Sequence, residues 1–108
     1  MENTESPLYS AYAADPLFGP LLADFAEELP SIIEDFKGNL RNEDKSQAIK
    51  DAHRIAGSLA TYGFSEFAAC LAQMEKDLKN GTFPADWTDR EMALDNYCAR
   101  VTTGIKGS

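Results

Sequence analysis

His53 is the one histidine of the chain, and in a helix of about 3.6 residues per turn Lys50 stands one turn before it and Gly57 one turn after, on the same side. An imidazole has an unperturbed pKa of about 6.5, so much of it is neutral near pH 7 and competent as a nucleophile. With successive residues about 100° apart, the apolar stripe of this helix centres on Ala52, Ala56 and Leu59, and His53 falls at the margin between core and water. There one ring nitrogen can face water while the other takes an orienting hydrogen bond. A glycine inside a helix costs about 1 kcal/mol relative to alanine, so Gly57 reads as room for a group larger than imidazole, a phosphoryl group being one candidate. Periodicity alone also fits a half-buried surface histidine, with Gly57 admitting a neighbouring helix.

Other chemistries find little support. Cys70 and Cys98 form no CxxC pair, and with a single histidine no local set of four zinc ligands exists, so neither a structural metal nor a cofactor is expected. Both cysteines read as small core residues. No triad points to a hydrolase. Without a Walker A loop or a kinase glycine-rich loop, and at 108 residues, the chain is expected to have no ATP-dependent kinase activity of its own.

The elements that must position His53 read as all-α, since strand-like alternation is never sustained. Leu8 to Ala14 is expected to form a short N-terminal helical lead. Asp15 then offers an N-cap with Pro16 at the first helical position. Leu17, Leu21, Leu22, Phe25, Leu29, Ile32, Ile33, Phe36 and Leu40 keep three-and-four spacing straight through Pro30, which predicts one long, kinked helix. After the polar break Asn42 to Lys45, Ile49, Ala52, Ile55, Ala56, Leu59 and Tyr62 make a second stripe, stopped by Gly63. Ser65 is the expected cap of a third helix carrying Phe67, Leu71, Met74 and Leu78 and ended by Asn80-Gly81. Phe83 to Trp87 reads as a loop. The last helix, capped by Thr88 or Asp89, carries Met92, Leu94, Tyr97, Cys98 and Val101 before Gly104. Four amphipathic helices on short links predict a single domain over residues 1–108, its core at roughly 8–104, folded as an antiparallel four-helix bundle.

The string Ala52-His53-Arg54-Ile55-Ala56-Gly57-Ser58-Leu59-Ala60-Thr61-Tyr62-Gly63, with Phe67, Leu71 and Met74-Glu75 after it, resembles the motif of histidine phosphotransfer (HPt) domains. In that family an Ala-His pair is followed by leucine or isoleucine, a Lys-Gly-Ser run and a glycine that ends the helix. Glu27-Glu28-Leu29-Pro30 is similar to the family's acidic-Leu-Pro segment. The resemblance implies that His53 accepts a phosphoryl group on Nε2 and shuttles it between receiver-domain aspartates of a phosphorelay. One departure stands out: where the family often has lysine three residues after the histidine, this chain has Ala56. Lys50, Arg54, Gln73 and Lys76 are the candidates for supplying charge or a donor in its place, Lys50 first.

By the same resemblance the partners are receiver domains, with a hybrid sensor kinase as a further one, and the magnesium of the exchange belongs to the receiver. Docking candidates are Leu22, Phe25, Ala60, Tyr62 and Phe64. A net charge of -8 disfavours nucleic acid and anionic membrane surfaces. Met1 to Pro7 show neither basic nor apolar leader character and no apolar run is long enough to span a bilayer, so a cytoplasmic location is expected; the chain is also expected to be a monomer. The competing reading is a helical-bundle adaptor that binds a signalling partner without carrying phosphate.

Overall fold

The first long helix, α1 (Gly19–Arg41), buries Leu22, Phe25, Leu29, Ile33, Phe36 and Leu40, one stripe at helical spacing over its full length. A computed structural model of the chain describes residues 7–81 and 87–102, the side chains of Trp87 and Thr102 excepted. Pro30 lies inside α1 with its ring on the exposed side, so the missing backbone donor opens toward water and the helix continues. The start of α1 is later than expected. Asp15 does cap, accepting from the Leu17 amide at 2.9 Å, but it closes a turn ahead of the helix. Leu17, ahead of the helix, and Leu21, within it but off the Leu22–Phe25–Leu29 face, are exposed rather than part of the buried stripe.

Asp44 caps α2 (Lys45–Thr61) through the Gln47 amide, and Ala48, Ala52, Ile55 and Leu59 face the core. α3 (Ser65–Lys79) is capped by the Phe64 backbone, with Ser65 as its first residue and no side-chain cap bond. Its buried stripe is Phe67, Ala68, Leu71, Met74 and Leu78, and it stops at Asn80 with Gly81 at φ +83°. α4 (Trp87–Arg100) begins at Trp87, ahead of the expected cap, and buries Leu94, whereas Met92 is exposed. Of the loop expected from Phe83 to Trp87, residues 83–86 lie outside the described residues, as does the expected stop at Gly104.

Three-residue links, Asn42–Asp44 and Tyr62–Phe64, reverse the chain and make consecutive helices antiparallel, so the four helices form the expected bundle. Polar clamps fix their pairing. The buried Lys37 of α1 reaches Glu34 at 2.8 Å and Asp95 of α4 at 2.7 Å, and these carboxylates hold its ammonium above the usual lysine range. Asn39 of α1 donates to the buried Asp51 of α2 at 2.6 Å, and Arg90 of α4 meets Asp77 of α3 at 2.7 Å. Tyr97 stacks on Phe67, centroids 5.0 Å apart, tying α4 to α3.

The segment expected as a helical lead is not helical. Leu8–Tyr9 (β1) instead pairs in parallel with Val101–Thr102 (β2), the residues that follow α4, so Val101 belongs to a strand. The chain then crosses the α2–α3 turn, where Ser10 donates to the Tyr62 carbonyl and the Ala11 amide to the Gly63 carbonyl at 3.0 Å. Gly63 is at φ +87°, and a Cβ there would stand 2.7 Å from Ala11 N. Both the turn and the crossing strap therefore require glycine.

Candidate functional site

The α2–α3 hairpin places His53 and Glu75 opposite each other. They lie at nearly equal distances along the chain from the turn at Gly63, and two antiparallel helices bring such positions side by side. His53 Nδ1 is 3.0 Å from Glu75 Oε2 and 3.2 Å from Oε1. A carboxylate can only accept, so the proton of the neutral ring sits on Nδ1 and the lone pair is left on Nε2. The ring is otherwise open to water, its side chain 77% exposed against 13% for Glu75. One nitrogen is therefore held and the other presented.

Glu75 is itself anchored. Lys79, one turn further along α3, places its Nζ 2.9 Å from Glu75 Oε2. That hydrogen bond is the main reason the Glu75 carboxyl is held below its ordinary 4.5, the facing His53 charge adding to it.

Beside the ring runs a shallow groove floored by Ala56, Gly57, Ala60, Ala68, Ala69 and Ala72. A Cβ built on Gly57 meets nothing within 4 Å, so this glycine does not admit a neighbouring helix. It keeps the approach to His53 low. A second groove continues toward the end of α3, lined by His53, Ala72, Glu75, Lys76, Lys79 and Asn80.

The sequence-derived support residues divide around this centre. Gly57 and Lys76 line grooves that His53 also lines. Lys50 is exposed on α2 but lines neither. Arg54 turns away, its NH2 3.4 Å from Asp51, into a polar depression between α1 and α2. Gln73 donates to Asp77 at 3.0 Å along α3.

Of the docking candidates, Leu22, Phe25 and Phe64 are buried in the core and offer no surface. Tyr62 is half-buried and stacks on Phe25 with centroids 4.4 Å apart, so its ring closes the bundle end. Ala60 is exposed on the groove floor. The surface beside His53 is thus made of small residues, not large apolar ones.

Nothing in the sequence alone marks a role for Glu75 or Lys79. Their spacing as an acid and a base four apart on one helix was visible, but that pattern most often marks a solvated helix face. Only the hairpin register reveals that Glu75 faces His53.

The Hpt domain family model matches residues 20–104, which span all four helices and the His53–Glu75 pair. The chain belongs to the Hpt domain family. No curated protein and no solved structure matches it. Membership makes this Hpt domain a phosphotransfer module of two-component systems, and family and helical bundle agree with each other. Among the described residues no helix is long and apolar enough to cross a membrane, and no group of three or more His, Cys, Asp and Glu side chains could hold a metal ion. Cys70 and Cys98 are free and half-buried, and burial pushes both thiols up.

Proposed function

We propose that His53 is the phosphoacceptor of this Hpt domain and passes the group between receiver-domain aspartates. The observation that carries the reading is the division of labour on the ring: Nδ1 held by Glu75, Nε2 open above a groove of small residues. A receiver's phosphoaspartate docks over that groove with its phosphorus in line with Nε2. The Nε2 lone pair forms the P–N bond, the acyl P–O bond breaks, and the aspartate leaves as a carboxylate.

No proton need move. Nδ1 keeps its hydrogen, the ring gains positive charge, and the Glu75 carboxylate beside it stabilises that charge as it develops. The same cationic ring is a good leaving group, so the step runs backward to a second receiver with little bias. The magnesium and most of the stabilisation at the aspartate belong to the receiver. A hybrid sensor kinase that carries its own receiver would use the same groove.

The test is to incubate the chain with a receiver domain carrying radiolabelled phosphoaspartate. Label should move to the wild-type chain and not to His53→Gln. An adaptor that never carries phosphate would take no label in either form, yet both forms would bind the receiver.

A further inference from the structure

One cation is tied directly to the carboxylate that faces His53, and it comes from α3. Lys79 Nζ contacts the same carboxylate oxygen that faces His53, so it lies no farther than about 6 Å from Nδ1. Its side chain is 59% exposed, and together with His53 and Glu75 it lines the groove at the end of α3. A lysine stem on that surface can swing from one oxygen to another without disturbing the core.

Phosphorylation changes the charge balance of this cluster. The resting site brings together the Glu75 carboxylate, the Lys79 amine and the His53 imidazole. A phosphoryl group adds roughly two negative charges on oxygens that accept hydrogen bonds strongly. Arg54 is engaged with Asp51 and Lys50 makes no ion pair with Glu75, whereas Lys79 already rests against the carboxylate that faces the ring. Lys76 lines the groove but makes no ion pair to the pair of residues that hold the ring.

We propose that Lys79 is the cation of the phosphohistidine site, held ready by Glu75 and shared with the phosphoryl oxygens once His53 is modified. This rests on the phosphoacceptor reading of His53. Lys79 acts on two bonds. It offsets the repulsion between the phosphoryl group and Glu75, and by drawing on Glu75 Oε2 it weakens the pull that keeps the phosphorylated ring protonated on Nδ1. A ring that is protonated less of the time leaves phosphorus more slowly, so the phosphorylated state lasts longer.

The experiment uses the full chain phosphorylated by potassium phosphoramidate, in which the donor's P–N bond breaks, ammonia leaves and a new P–N bond forms on the protein. Phosphorus NMR then follows decay of the phosphohistidine signal. Lys79→Ala should decay roughly two- to fivefold faster than wild type at low salt, the span expected of one exposed charge pair, and the gap should close in high salt. Lys79→Arg should restore the lifetime, whereas Lys76→Ala and Lys50→Ala should leave it near wild type. Wild-type decay in Lys79→Ala at low salt, or the loss appearing in Lys76→Ala instead, overturns the assignment while leaving His53 as acceptor. If the wild-type chain takes phosphate elsewhere than His53, or not at all, the phosphoacceptor reading falls and this one with it.

Discussion

Glu75 Oε2 stands 3.0 Å from His53 Nδ1 across the α2–α3 hairpin, and the same oxygen receives Lys79 at 2.9 Å. The contact joins α2, which carries the proposed phosphoacceptor, to α3, whose carboxylate orients the ring. Glu75→Ala frees the ring to rotate and removes the charge that meets the phosphorylated imidazole. Transfer from a receiver should slow on the order of tenfold, about the worth of one charge-assisted hydrogen bond. Glu75→Gln keeps an acceptor but not the charge, so orientation survives and the phosphorylated form should outlive that of wild type. Phosphohistidine lifetimes by phosphorus NMR separate the two variants.

The same carboxylate gives a pH dependence with a definite sign. Glu75 is held below 4.5 in the folded chain, chiefly by Lys79. A carboxyl depressed on folding contributes stability in full above its unfolded value, and that contribution is lost as pH falls through the lower folded value. Carbon NMR of the Glu75 carboxyl should show a midpoint below 4.5, and Lys79→Ala should move it upward. An unchanged midpoint in that variant would deny the pairing.

Gly57 separates folding from function. Because a Cβ there meets nothing within 4 Å, Gly57→Ala should stabilise the chain by about 1 kcal/mol through helix propensity and raise its melting temperature. Gly57→Gln should stay folded but obstruct the groove and lose most transfer. A large loss of helix in either variant would show that the position is packed after all.

Gly63 behaves in the opposite way. Its φ of +87° and the 2.7 Å approach of Ala11 N leave no place for a Cβ, so Gly63→Ala should cost about 1–3 kcal/mol. The strap over the α2–α3 turn should loosen first. Amide exchange at Ala11, bonded to the Gly63 carbonyl, should accelerate more than exchange within α2.

Asp51 is buried between α1 and α2, accepting from Asn39 at 2.6 Å and from Gln47 at 2.9 Å. Asp51→Ala strands those amides, and chemical denaturation should register a loss of about 1–3 kcal/mol. Phosphate acceptance by the remaining folded fraction should persist, since Asp51 lines a depression that His53 does not.

Much of the bundle was legible because local signals agreed with the global one. The α1 stripe runs unbroken past Pro30, and Gly63 and Gly81 end their helices in the left-handed conformation that glycine favours. What failed depended on contacts distant in sequence. Nothing near Leu8 says that it will pair with Val101, so an extended segment passed for a helical lead. Leu22, Phe25 and Phe64 were apolar candidates for docking, yet the bundle consumed them as core, and the surface left beside His53 is alanine and glycine. His53 itself stood out by type, uniqueness and motif. Glu75 and Lys79 did not, because a carboxylate gains a role toward the imidazole only once the hairpin register sets them face to face.

The most direct test of the account is to locate the phosphorus on the histidine ring. Nitrogen-labelled chain, phosphorylated by a receiver domain, should show phosphorus coupled to Nε2 of His53 in long-range proton–nitrogen and phosphorus spectra, with Nδ1 still bearing its proton toward Glu75. Phosphorus on Nδ1, or stable phosphate on Ser58 or Thr61 with His53 unmodified, would contradict it.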